Sequence, residues 1–213
     1  MNSSHFFNSI QTSQLYEIIL VQNQKPLLVS LPAFLVGGVV GYFGYEYFLA
    51  QGMLTEGAFF KPAADLSTLD YLVNNATVAM MMMFGGILTL GAVALFLIFY
   101  NGVIVGESVV VALDKMPAGE VLMRLLPHGI FEVPALLLAG AGGFLSLKIV
   151  IALLREKKVN FRSELLGAGW LAIAVVLLLA VAAAVEAHIT PALVAWLYGA
   201  IEFGSGTKGG FGN

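Results

Sequence analysis

The chain has 213 residues, of which 59% are hydrophobic and only 11% are charged, and its formal net charge is −3. Soluble domains carry charge on about a quarter of their residues, so this composition excludes an ordinary soluble domain and indicates a membrane protein. The negative charge and the lack of a basic tract argue against a nucleic-acid partner. Because the sequence contains no cysteine, disulfides and thiolate metal sites are excluded.

The apolar segments predict an all-α fold, namely a polytopic transmembrane helical bundle of about five crossings with a short or broken third helix. We divide the chain into an N-terminal segment (1–26), the bundle (27–191), and a surface helix with a glycine-rich tail (192–213). The N-terminal segment lacks the features of a signal peptide, and its mixture of apolar and polar residues fits either an interfacial helix or a frayed terminus. The expected location is the cell membrane, as a multi-pass protein.

The first predicted crossing is Leu27–Leu49, which is long enough to span a bilayer as a helix. Gly37, Gly41 and Gly44 lie on or near one face of this helix, so another helix can approach its backbone closely. An acidic loop over residues 51–71 follows, and we predict that residues 66–70 cap the second helix.

The second predicted crossing is Val73–Tyr100, which begins next to Asn74 and Asn75. It contains four consecutive methionines, Met80–Met83. Such a run covers every side of a helix, so we interpret it as adaptable packing rather than as a metal cluster.

The segment 101–126 is harder to assign. Only Val103–Leu113 is apolar, and Glu107 interrupts it. A run of about eleven residues is too short to span as a regular helix. Two alternatives remain open: the helix continues through Asp114 into residues 122–126, or the segment enters the membrane and leaves on the same side.

Residues 126–135, with the sequence Leu-Pro-His-Gly-Ile-Phe-Glu-Val-Pro-Ala, open the next apolar run, Ile130–Leu154. His128 and Glu132 are four residues apart, so they project from the same face of a helix. Ionisable groups inside a membrane usually face the protein interior or a wet cavity, because exposing them to lipid is costly. Small residues then recur at a spacing of four, which predicts a helix-packing face; they are Ala135, Ala139 and Gly143.

The last predicted crossing, Leu165–Val185, follows a basic loop over residues 155–162 and ends at Glu186 and His188. The positive-inside rule places this loop in the cytoplasm. The polar ends of the two adjoining crossings then share the outer side. We therefore predict that His128, Glu132 and Glu186 meet in one site of a polar intramembrane cluster, whose further members are His188, Asn75 and Glu107.

These stretches resemble the stage II sporulation protein M family. The resemblance rests on residues 126–135 with the small residues 139–143 after them, on Asn101-Gly102 with Gly106, and on residues 186–191, Glu-Ala-His-Ile-Thr-Pro. It covers roughly residues 27–191 and implies a multi-pass membrane protein. In spore-formers, it implies a complex with peptidoglycan-degrading partners that drives membrane migration during engulfment. For members that occur where no spores form, it implies architecture rather than sporulation.

Three classes of function fit these features. The first is an integral membrane scaffold or assembly component of a membrane complex that acts in cell-envelope or membrane remodelling. The second is a channel or transporter component, in which Glu107, His128, Glu132 and Glu186 line a path. The third is an intramembrane enzyme that binds a metal such as zinc through His128, Glu132, Glu186 or His188, although the His-Glu-x-x-His pattern is missing. The polar residues can also simply lock the helices together.

We expect the first class, hence no enzymatic activity and no cofactor, and we leave the identity of any metal open. The expected partners are the lipid bilayer and other membrane or envelope proteins. The glycine face of the first crossing and the small-residue face of the fourth exceed what one small bundle needs for packing. This surplus predicts a homo-oligomer or a stable hetero-complex.

Overall fold

The computed structural model describes residues 24–51 and 67–205, and these residues contain α-helices but no strand. The segment 1–23, with most of the predicted interfacial helix, and the end of the glycine-rich tail lie outside the described residues, as does most of the acidic loop. Two π-helical turns, π1 (Met81–Gly85) and π2 (Val185–Ile189), join consecutive helices. The α-helices are α1 (Gln24–Ala50), α2 (Thr68–Met80), α3 (Gly86–Leu88), α4 (Ala92–Leu113), α5 (Ala118–Gly143), α6 (Leu145–Leu154), α7 (Phe161–Ala184) and α8 (Thr190–Ser205).

Five helical segments among the described residues are long and apolar enough to cross a membrane. We number them spans 1 to 5: Gln24–Tyr47, Thr68–Leu88, Ala92–Leu113, Ala118–Leu154 and Phe161–Tyr198. The predicted all-α transmembrane bundle with five crossings is therefore confirmed. Because successive spans alternate in direction, the basic loop between spans 4 and 5 lies on the same side as the start of span 1. That this side is cytoplasmic stays a prediction.

The boundaries predicted for the second and third crossings are wrong. The chain reverses at residues 89–91, in the middle of the expected Val73–Tyr100 helix. Leu90 and Gly91 adopt positive φ angles of 54° and 95°, and the Gly91 N–H donates to the Gly86 carbonyl at 2.7 Å. Glycine enters this left-handed conformation without the penalty of a Cβ atom. Span 3 is consequently an unbroken helix of 22 residues, neither short nor broken at Glu107.

The helix predicted near the C-terminus follows α7 and π2 without a loop, and its location at the membrane surface stays a prediction. The turn π2 runs directly into α8, and the apolar span extends to Tyr198. The Tyr198 hydroxyl packs against Gly119 at the beginning of α5. This last helix begins at Thr190, two residues before the predicted start at residue 192.

The core of the bundle lies between spans 2, 3, 4 and 5, with Phe34 of span 1 at its edge. Its fully buried members include Met82 from π1, Ile98 from α4, Ala139 from α5 and Val175 from α7. Met82 and Met83 are buried, whereas Met81 is exposed. The predicted packing role thus holds for part of the methionine run. In lipid, tight packing of this kind holds helices together, because the surrounding chains are as apolar as the core.

Where their glycines meet, spans 1 and 3 are in direct backbone contact. A Cβ atom on Gly37 or Gly41 would overlap the carbonyl oxygen of Phe99 or Val103. The contact is reciprocal, because the same atom on Gly102 or Gly106 would overlap a carbonyl oxygen of span 1. Glycine is therefore required on both helices at this crossing.

The glycine face of α1 is thus occupied within the chain, except at Gly44, where an added Cβ would meet no atom within 4 Å. The small-residue face of α5 is occupied as well. Ala135 and Ala139 are fully buried, and Gly143 packs against Ala94 and the Met82 carbonyl. The reason given above for an oligomer, a surplus of small-residue surface, is therefore wrong. The oligomer itself stays a prediction.

Candidate functional site

His128, Glu132 and Glu186 come together between spans 4 and 5, as the sequence predicts. Each of the three offers one ligand atom within 4.8 Å of the other two. The His128 Nε2 atom lies 4.0 Å from Glu132 Oε2, and the side chains of this pair are 13% and 23% exposed. We call these three residues the polar trio.

The helix that carries His128 and Glu132 contains two prolines, Pro127 and Pro134, and both lie inside α5. A proline has no N–H, so Pro134 cannot donate to the carbonyl of Ile130, four residues earlier. Prolines inside a helix also bend it. The backbone hydrogen bonding of α5 is therefore interrupted on both sides of the His128–Glu132 pair, which faces span 5.

Glu186 lies in π2, five residues before Pro191. The Thr190 N–H donates to the Val185 carbonyl, which is the five-residue spacing of a π-helix. Pro191 cannot donate to the carbonyl of Ala187, so regular α-helical bonding is interrupted here in any case. Such π-helical turns are common at functional sites because the extra residue changes the direction of the side chains.

His188 is bound to span 2 and lies outside the trio. Its Nε2 atom and the Thr68 Oγ1 atom are hydrogen-bonded at 3.0 Å. Thr68 is the first residue of α2, whose predicted cap is confirmed: the Ser67 N–H donates to Asp70 Oδ2, and the Asp70 N–H donates to Ser67 Oγ. Sequence analysis missed Thr68, because a threonine at a helix start carries no signal for a partner 120 positions away.

Of the six residues predicted to form the cluster, three come together as a close group of ligand atoms. Glu107 is buried on α4 but does not belong to the close group of ligand atoms found among the described residues. The Asn75 side-chain oxygen Oδ1 accepts a hydrogen bond from Asn74 Nδ2 at 3.3 Å. Tyr71, which the sequence did not indicate, lies within electrostatic range of Glu186.

Arg124 lies four residues before His128 on α5 and pairs with Glu120 at 2.6 Å, so this cation is engaged outside the trio. The His128 Nδ1 atom is buried and has no hydrogen-bond partner. The trio thus offers one imidazole and two carboxylates in an apolar part of the bundle. Such a set can share protons or hold a cation.

The five spans and the polar trio between two of them define an integral, multi-pass membrane protein. The stage II sporulation protein M family model matches residues 30–191, and the chain belongs to that family. An uncharacterized protein of Methanocaldococcus jannaschii is 27% identical over 175 residues, which cover 81% of this chain and 97% of that protein. No solved structure matches the chain. The resemblance drawn from residues 126–135 and 186–191 is therefore confirmed.

Proposed function

We propose that the protein is a non-enzymatic assembly component of a membrane complex that acts in cell-envelope or membrane remodelling. The observation that carries this proposal is the extent of the family match, because residues 30–191 include all or most of every span. The shared part is therefore the membrane bundle itself, and we assign the function to this bundle.

The packing of the bundle supports this proposal. The glycine crossing of spans 1 and 3 and the buried alanines of α5 fix the spans against one another at short distance. A framework of this kind keeps its outer surface in a constant shape, which lowers the entropic cost of docking a partner. Large apolar side chains cover that surface and can contact either lipid or a partner's transmembrane helix; they include Phe43, Phe84, Phe96 and Leu177.

The second function considered, transport, receives less support from the geometry. A path for protons or solutes needs polar groups that follow one another across the bilayer. Among the described residues, the close group of ligand atoms is limited to the trio and does not include Glu107, which is buried on span 3. A polar group at the contact between two spans is better suited to holding those spans together than to conducting protons or solutes across the bilayer.

The experiment is purification of the tagged protein from its native membranes after mild cross-linking, followed by identification of the proteins that accompany it. We expect envelope proteins, such as peptidoglycan hydrolases, in near-stoichiometric amounts that persist in the reciprocal purification. A protein that purifies alone contradicts the proposal, and co-purification with an ATPase favours the transport alternative. Two variants serve as controls: Gly102→Leu disrupts the span crossing and should lose the partner, whereas Gly44→Leu adds bulk where a Cβ meets no atom within 4 Å and should keep it.

A further inference from the structure

We propose that His128, Glu132 and Glu186 bind one divalent transition-metal ion of the Zn²⁺ class, which bridges spans 4 and 5. The proposal rests on the donor set, on the geometry and charge of the trio, and on an unsatisfied buried nitrogen. It does not depend on the partner proposed above.

The geometry of the trio is close to that of a metal site. Zinc binds imidazole nitrogen and carboxylate oxygen at about 2.0–2.2 Å, so neighbouring ligand atoms of a tetrahedral site lie about 3.4 Å apart. The His128–Glu132 pair is separated by 4.0 Å, and all three ligand atoms lie within 4.8 Å of one another. The separations in the trio exceed this tetrahedral spacing by at most about 1.4 Å. Two ligands come from one helix at positions i and i+4, and the third comes from π2.

The charges of the trio fit a divalent ion. Two ionised carboxylates at this separation repel each other, and a net charge in an apolar interior is costly. One divalent cation with two carboxylates and a neutral imidazole gives a net charge of zero. The mixed nitrogen and oxygen donors favour a first-row transition metal over Mg²⁺ or Ca²⁺, which prefer oxygen alone.

The histidine provides the second, independent observation. Its Nδ1 atom is buried without a hydrogen-bond partner, and its Nε2 atom stands 4.0 Å from Glu132, beyond hydrogen-bond distance. Buried polar groups are nearly always satisfied, so each exception requires an explanation. Binding of a metal ion by Nδ1 would supply its missing partner, and binding by Nε2 would fill the gap that separates that nitrogen from Glu132. The fourth position on the ion is then left for a second carboxylate oxygen or a water molecule.

The test is metal binding by the purified full-length protein in detergent, after removal of metal with a chelator. Zn²⁺ is titrated calorimetrically, and the bound metal is counted by mass spectrometry after desalting. Mg²⁺ serves as the comparison ion. The variants are Glu132→Gln and Glu186→Gln. The matched control is Glu120→Gln, which changes a glutamate of the same helix that is paired with Arg124.

We expect the wild type and Glu120→Gln to bind one Zn²⁺ per chain. Glu132→Gln and Glu186→Gln should lose at least about 100-fold in Zn²⁺ affinity, because changes to the outer-shell partners of metal ligands already cost 10–100-fold. A wild-type protein that binds no Zn²⁺, or trio variants that bind it unchanged, overturns the proposal. If the variants aggregate, X-ray absorption on the zinc-loaded wild type decides. One imidazole with oxygen neighbours supports the site, and no imidazole or two imidazoles refutes it.

Discussion

The crossing of spans 1 and 3 gives the sharpest prediction about stability. In Gly102→Ala, the new Cβ would overlap the Phe34 carbonyl oxygen and lie 3.0 Å from the Gly38 nitrogen. Both obstacles are backbone atoms, which cannot rotate away as a side chain can. The helices must therefore separate by about 1 Å to restore ordinary van der Waals contact. We expect the cost to lie near the upper end of the range for overpacking, about 3 kcal/mol.

A second effect of the substitution acts in the opposite direction. Alanine is a better helix former than glycine by about 1 kcal/mol, so the net destabilisation by Gly102→Ala is about 2 kcal/mol. Gly44→Ala is the matched control, because it gains the same propensity while its Cβ meets no atom within 4 Å. It should be stabilising by up to about 1 kcal/mol. The two variants should thus differ by about 3 kcal/mol in free energy of unfolding.

The assay is reversible unfolding in mixed micelles, followed by circular dichroism as the fraction of denaturing detergent rises. Wild type, Gly102→Ala and Gly44→Ala are measured under identical conditions. If Gly102→Ala unfolds at the same detergent fraction as Gly44→Ala, spans 1 and 3 are not in backbone contact, and the reasoning from the glycines fails.

Three further predictions concern other parts of the bundle. Ala139→Leu places extra methylene groups in a fully buried position and should destabilise the bundle by about 1–3 kcal/mol; unchanged stability in the same unfolding assay would mean that this face contacts lipid. Ser67→Ala removes the cap of α2 and should cost about 0.5–2 kcal/mol, seen as faster amide exchange confined to the first turn of α2. The cysteine-free sequence permits single-cysteine topology mapping: an impermeant maleimide should label Asp114→Cys on intact cells and Glu156→Cys only after permeabilisation, and the reverse pattern would invert the assigned orientation.

The sequence was sufficient to predict the number of crossings but not the position of the reversal between spans 2 and 3. Hydropathy is nearly constant from residue 73 to residue 100, and the turn at residues 89–91 is too short to interrupt it. The positive φ angle of Gly91 is a property of backbone conformation, which a glycine in an apolar run only permits. The second crossing was predicted to end too late and the third to begin too late. Because both errors concern the same boundary, the total of five crossings remained correct.

The polar trio was predictable for a separate reason. The prediction that His128, Glu132 and Glu186 meet was based on the basic loop at residues 155–162 and on helical spacing. Neither feature depends on the boundary between spans 2 and 3. By contrast, the hydrogen bond between Thr68 and His188 depends on how span 2 packs against span 5. Hydropathy and spacing contain no information on that packing. For the same reason, sequence analysis could not separate Glu107 from the trio.

Site-specific photo-cross-linking in living cells tests the proposed assembly role most directly. The photoreactive residue is placed at Phe96, which is 62% exposed, and at Ile98, which is fully buried on the same helix; Phe43, Phe84 and Leu177 sample the other exposed faces. An assembly component should give an adduct with one identified envelope protein from at least one exposed face and none from Ile98, and the partner should capture this chain in return. If every exposed position yields only lipid adducts, the bundle has no stable protein partner in the membrane, and the proposed function is wrong.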